Sequence, residues 1–228
     1  MKIFLKKEKL QIINSILEQT NIIMKFKITE SPNSYLLLEL NKDEKIIIEK
    51  GCLIYSDGEY DFENKIEVES YKNIISKIFG GKSLAYNTYT ANEKLKMGFS
   101  AKDTAEIFSL EIDKQNSILF DASQHFARTI DIQIKTGGFS QDFLVKTEGS
   151  GTLFLKAYGQ IIEKIVESCK PIYVDEDSLI AFQEGVEYKW ITGGIKKLIT
   201  SGEGGLYEFS GNGKVWIQSK SKIEFKKD

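Results

Sequence analysis

The chain has 228 residues, 41% hydrophobic and 28% charged, which is enough for one large globular domain or two small ones. Its formal net charge of −2 gives no overall attraction to nucleic acid or to an anionic membrane. Arg128 is the only arginine, so the forked donor that commonly reads guanine edges is nearly absent. Cys52 and Cys169 lie far apart in sequence, which favours reduced thiols and a cytoplasmic location.

The first 23 residues differ in pattern from the rest. Apolar residues at helical spacing predict an amphipathic helix over residues 4–20, and its polar face carries both charge signs, which disfavours a membrane surface. Such a helix either packs on its own domain or binds a protein partner. No stretch approaches the roughly 20 apolar residues that cross a bilayer, so no membrane span is expected. The apolar stripe consists of Leu5, Ile12, Ile13, Ile16 and Leu17.

Beyond residue 23 the pattern becomes that of β-strands. Apolar and polar residues alternate at 130–135 and at 186–190, as in strands with one buried and one wet face. Glycine turns separate such segments, and only two prolines occur in the chain. A short apolar stripe over 71–79, followed by Gly80-Gly81, predicts one inserted helix. We therefore expect an all-β domain, a sandwich or barrel-like body, over residues 24–228.

Three Gly-x-Gly pairs punctuate the second half of the chain. They lack the third glycine and the following helix of a dinucleotide site, so we interpret them as structural turns between strands. Residues 76–83 end in Gly-Lys-Ser, but they follow a predicted helix and precede a predicted strand, which is the reverse of a phosphate-binding loop. The six structural turn residues are Gly149, Gly151, Gly202, Gly204, Gly211 and Gly213.

A repeated segment indicates stacked equivalent units. Residues 48–54, 120–126 and 174–180 each have an apolar residue, an acid, a small or polar stretch and further apolar residues. A second block follows each of them and begins near Gly81, Gly149 and Gly202. We infer three diverged copies of one β unit within a single continuous body.

The same glycine-rich runs resemble the AIM24 family, named for altered inheritance of mitochondria. The resemblance rests on Gly149-x-Gly with Leu155-x-Ala-Tyr-Gly159, on Val174-Asp175, on Gly202-Glu-Gly204 and on Gly211-x-Gly-x-Val-Trp-Ile-Gln218. It covers about residues 24–220 and leaves the first helix outside; residues 91–93 depart from Gly-x-Gly, and Lys82 replaces an acid. The resemblance implies a TRAP-like β-sandwich or β-prism body, and it carries over no catalytic residue.

Candidate chemical sites are few. His125 is the only histidine, so a catalytic set would need Cys52 or Ser123 beside it, and we expect an ordinary strand residue instead. Glu59, Asp61 and Glu63 share one face of a predicted strand, which suits a solvated face better than a calcium site. The acids at 175–177 indicate a turn. We expect no catalytic residue, no cofactor and no metal.

The sequence favours a non-enzymatic scaffold or binding protein that acts through protein–protein association. The alternative is a small-ligand or RNA-binding module, by analogy with TRAP, which binds tryptophan and RNA. RNA would need a basic surface, for which the lysines at 214, 220, 222, 226 and 227 are the candidate, so nucleic acid is not expected. Uncovered strand edges favour a homo-oligomer, with a trimer slightly preferred because the repeat is threefold.

Overall fold

A computed structural model describes residues 24–30, 32–65, 85–136, 144–191 and 205–221. These residues form short strands and two 3-10 turns, one at Ala122–Gln124 and one at Glu176–Ser178. The first seven strands are β1 (Lys25–Ile28), β2 (Leu36–Leu40), β3 (Lys45–Glu49), β4 (Leu53–Ser56), β5 (Tyr60–Lys65), β6 (Tyr86–Ala91) and β7 (Leu95–Phe99). The next six are β8 (Glu106–Ile112), β9 (Ile118–Asp121), β10 (His125–Thr129), β11 (Gln133–Thr136), β12 (Leu144–Glu148) and β13 (Gly151–Ala157). The last six are β14 (Ile161–Val166), β15 (Ile172–Asp175), β16 (Leu179–Gln183), β17 (Glu187–Ile191), β18 (Leu206–Ser210) and β19 (Gly213–Gln218).

The strands assemble into four sheets, and every pairing between them is antiparallel. Sheet I has four strands in the order β1-β2-β7-β4, and sheet II has six in the order β5-β6-β3-β10-β13-β8. Sheet III has six in the order β11-β12-β9-β16-β19-β14, and sheet IV has three in the order β15-β18-β17. The all-β class expected from the sequence is therefore confirmed.

Three apolar clusters hold neighbouring sheets together. The first contains Leu38 and Met97 of sheet I with Ile48 and Phe154 of sheet II. The second lies between sheets II and III, and the third lies between sheets III and IV. The two six-stranded sheets therefore bury apolar side chains on both faces, which explains why their strands include runs such as Ile46–Ile48 rather than strict alternation.

One pairing pattern recurs three times along the chain. We name the three sets of strands unit 1 (β2–β7), unit 2 (β8–β13) and unit 3 (β14–β19). In each unit the sixth strand pairs with the first and the third, and the fifth pairs with the second and the fourth. A register shift also recurs where the third strand meets the sixth, at residues 53–55, 125–127 and 179–181. This recurrence is what a threefold repeat requires; a threefold axis and a TRAP-like classification stay predictions.

The register corrects the alignment of the predicted repeat. The residues that precede β6 and β18 correspond to those that precede β12, whereas Gly149 follows β12. The predicted second block of the middle copy therefore lies one strand too late in the chain, because the same Gly-x-Gly pattern occurs in turns at different places in the unit. Unit 1 replaces that turn with the longer Asn92–Lys94 connection between β6 and β7.

A second correction concerns the alternating segment at 130–135. Ile130 and Asp131 form a turn after β10, and β11 begins only at Gln133. The segment at 186–190 does enter a strand, β17. The predicted helices at 4–20 and 71–79 lie outside the described residues, and so do Gly202, Gly204 and the Gly-Lys-Ser run that ends at residue 83.

Candidate functional site: two open strand edges

Consecutive units are joined by strand pairing. Strand β3 of unit 1 pairs with β10 of unit 2, and β9 of unit 2 pairs with β16 of unit 3. Both joins use one register: Ile48 lies opposite Ala127 in the first, and Phe120 lies opposite Ala181 in the second. In each join, the second strand of one unit meets the third strand of the next.

Among the described residues, two strands lack the second neighbour that this pairing pattern predicts. Strand β4 is the third strand of unit 1, but it ends sheet I and pairs only with β7 within the described part of the chain. Strand β15 is the second strand of unit 3, but it ends sheet IV and pairs only with β18 there. We call the outer sides of β4 and β15 the two open edges.

Apolar side chains on the open edges are exposed, although their equivalents in the other units are buried. Ile54 of β4 is 55% exposed, whereas Phe126 and Ile180 at the same place in units 2 and 3 are 0% exposed. Tyr173 of β15 is 58% exposed, whereas its equivalents Ile47 and Leu119 are 5% and 6% exposed. A neighbouring unit covers these positions elsewhere in the chain, whereas no described unit lies over the two open edges.

A cluster of polar side chains lies inside the molecule, near the join of units 1 and 2. Lys156 of β13 donates from Nζ to Glu49 Oε2 at 2.8 Å, and both side chains are nearly buried. Lys102 Nζ approaches the other carboxylate oxygen of Glu49 at 3.7 Å. Asp103 accepts a hydrogen bond of 2.7 Å from the hydroxyl of Tyr158. These contacts neutralise buried charge, as a structural ion-pair network requires.

Cys52 lies beside this network as a protonated thiol. Burial, reinforced by the negative charge of Glu49, raises the pKa of Cys52 to about 12. A nucleophilic cysteine needs the opposite shift, because the thiolate is the reactive form. Cys52 therefore belongs to the apolar core between sheets I and II, with Met97 and Phe99 among its members.

His125 opens β10 and is buried. Its ring meets that of Tyr86 edge-on at 4.7 Å between centroids, with Phe120 at 6.2 Å on another side. Burial first, then the charges of Arg128 and Lys156, hold the pKa of His125 well below its usual value, so the ring is neutral. Neither ring nitrogen has a hydrogen-bond partner among the described residues, so neither Cys52 nor Ser123 is positioned as its nucleophile.

The other sequence-predicted candidates take structural places. Asp175 caps the 3-10 turn at Glu176–Ser178 by accepting from the backbone N–H of Asp177 at 3.0 Å. Glu59, just before β5, and Asp61 and Glu63 within it are exposed, and no metal-holding group of His, Cys, Asp and Glu occurs in the ranges described.

Two of the predicted Gly-x-Gly pairs lie within the described residues, and both form connections between strands. Gly149 and Gly151 lie between β12 and β13, with φ values of +99° and +145°, and Gly211 and Gly213 lie between β18 and β19. Of the candidate basic residues, Lys214 pairs with Glu163 at 2.8 Å. Lys222, Lys226 and Lys227 lie outside the described residues.

The comparisons with known proteins agree with this architecture. The family model described as mitochondrial biogenesis AIM24 matches residues 26–220, which is most of the chain. The chain belongs to the AIM24 family. An uncharacterised protein of Streptococcus pyogenes serotype M6 is 22% identical over 222 residues, covering 89% of this chain and 88% of that protein.

A crystal structure of a Streptococcus pyogenes protein shares the fold of this AIM24 family member. The TM-score is 0.69 at 19% sequence identity, and the match covers 87% of this chain and 94% of that one. Within the described residues, no helix is long and apolar enough to cross a membrane.

Sequence reasoning alone did not find the open edges. The signal was available, because Ile54-Tyr55 and Tyr173 occupy positions equivalent to apolar residues in the other copies. The sequence does not contain the strand order, and only the order shows that two of the equivalent strands have an open side in the described part of the chain.

Proposed function

We propose that this AIM24 family member is a non-enzymatic association protein, and that its β surfaces bind further copies of the same chain. The exposed apolar side chains on β4 and β15 carry this proposal. Natural proteins shorten, charge or cover their edge strands, since an open edge is a template for pairing with another chain. Strands β4 and β15 are short, at four residues each, but Ile54 and Tyr173 place exposed apolar side chains on them, which favours coverage by another protein chain.

The chemistry of the interior supports a role without catalysis. Burial and a pKa held well below its usual value make the His125 ring a poor general base, and the protonated thiol of Cys52 is a poor nucleophile. The polar groups around Glu49 form ion pairs with one another.

Light scattering on the purified full-length chain, coupled to size-exclusion chromatography across micromolar concentrations, tests the proposal. We expect a mass above that of the 25.9 kDa monomer, retained in high salt because the exposed contacts are apolar. A monomer throughout the range, with no self-association at any salt concentration, would contradict the proposal.

A further inference from the structure

We propose that β4 of one copy of the chain pairs antiparallel with β15 of a second copy, and so forms between chains the join that units 1–2 and 2–3 form within one. This inference rests on the proposed function and specifies its interface. Each open edge is the equivalent of a strand that already binds the equivalent of the other.

The two internal joins fix the expected register. Arg128 lies opposite Ile47 in the first join, and Phe182 lies opposite Leu119 in the second. The equivalent residues at the open edges are Ser56 and Tyr173, which should therefore face each other. The flanking pairs follow from the same alignment: Tyr55 with Val174, and Asp57 with Ile172.

The sizes of the sheets agree with this pairing. Sheets II and III each have six strands, three from one unit and three from the next. Sheet IV contains only β15, β18 and β17, and sheet I contains only β2, β7 and β4 beside the added β1. Sheets IV and I thus correspond to the two halves of a six-stranded sheet like II or III. Pairing β15 of one chain with β4 of another would join these halves into one sheet.

The exposures assign the occupant to a second copy rather than to the same chain. If β15 paired with β4 of its own chain, Ile54 would be covered as Phe126 and Ile180 are, and it is 55% exposed. Tyr173 is likewise uncovered. A second copy presents both missing surfaces in the required orientation, whereas an unrelated peptide would offer only the backbone of one strand.

This contact is heterologous, because two different patches meet. Repeated contacts of this kind close into a ring when the rotation permits, or continue as a filament when it does not.

A disulfide between two different chains tests the register. In a Cys169→Ser background, chains carrying Ser56→Cys and chains carrying Tyr173→Cys are mixed and oxidised. Directly opposed residues in a sheet have the separation that a disulfide needs, so a covalent dimer on a non-reducing gel is expected. The control pairs Ser56→Cys with Ile165→Cys, an exposed position on the edge strand β14 of sheet III, and should remain uncrosslinked.

A charge on the edge tests whether the same contact holds the oligomer together. We expect Tyr173→Lys to reduce the mass by light scattering to that of the monomer, and Ile165→Lys to leave it unchanged. A wild-type oligomer whose mass survives Tyr173→Lys, with no Ser56–Tyr173 crosslink, overturns this inference and leaves the proposed function standing. A crosslink within one chain of the doubly substituted protein overturns it too. A monomeric wild type overturns both.

Discussion

At the scale of single residues, the Glu49–Lys156 pair stabilises the fold mainly because neither charge is left buried without a partner. The two side chains are 12% and 7% exposed, so removing one partner leaves the other poorly solvated. The Lys135–Glu148 pair is a useful contrast, because both of its side chains are about half exposed.

We expect Lys156→Met to lower the free energy of unfolding by about 3 kcal/mol, because it leaves the Glu49 carboxylate buried without its closest partner. Urea denaturation measures the change. Glu49→Gln combined with Lys156→Met should recover part of the loss, and Lys135→Met should have little effect. Equal losses for Lys156→Met and Lys135→Met would show that burial of the first pair is unimportant.

His125 makes stability depend on pH in a way that can be isolated, because the chain has one histidine. Its pKa is depressed in the folded state, so below the unfolded value of about 6.5 only the unfolded chain takes up the proton. The stabilisation that the neutral His125 ring contributes is therefore fully present above about pH 6.5 and is lost as the pH falls below it.

The wild type should lose up to about 1.4 kcal/mol per pH unit below pH 6.5 through this group, and His125→Phe should not. Denaturation of both proteins at neutral and mildly acidic pH measures the difference, which removes the shared contribution of the carboxylates. Parallel curves for the two proteins would mean that His125 becomes protonated in place.

At the scale of elements, the Gly149 and Gly211 turns are equivalent in topology but differ in surroundings. Both have positive φ, +99° and +90°. A Cβ at Gly149 would overlap the carbonyl oxygen of Asp131, whereas one at Gly211 would meet its nearest atom, the carbonyl oxygen of Gly185, at 3.6 Å. A side chain at position 149 is thus disfavoured both by backbone strain and by steric overlap, whereas one at position 211 is disfavoured by strain alone.

Gly211→Ala should cost about 1–2 kcal/mol of stability, the range for a left-handed alanine. Gly149→Ala should cost clearly more, because a backbone carbonyl has to move. Thermal denaturation of the two variants compares them directly. A smaller loss at position 149 would show that the β11 side of this turn yields at little cost.

The elements also show which parts of the fold can be predicted from sequence. The acids Glu49, Asp121 and Asp175 end strands with equivalent pairing, and their common spacing from apolar residues is the sequence signal that predicts a repeat. Ile130 was misassigned because alternation continues through a turn, where its side chain is 43% exposed. Side-chain periodicity shows which face of a strand is buried. It carries no information on which other strand pairs with it.

At the scale of the whole molecule, association should contribute to stability. A partner that binds only the folded state stabilises it by mass action, so the unfolding midpoint of the wild type should rise with protein concentration. Tyr173→Lys should remove that dependence while leaving the dilute midpoint unchanged, since its side chain is exposed in the single chain. Scanning calorimetry over a range of concentrations measures both proteins. A concentration-independent midpoint for the wild type would contradict the expectation.

The joins between units have a consequence for synthesis on the ribosome. Strand β3 leaves the exit tunnel long before β10, its neighbour in sheet II, and β9 likewise precedes β16. Because domains generally fold from the N-terminus as they are made, units 1 and 2 each emerge with an incomplete sheet that only the following unit completes. Translation therefore completes sheet II and then sheet III, and among the described residues β15 of unit 3 still has one open side when those sheets are complete.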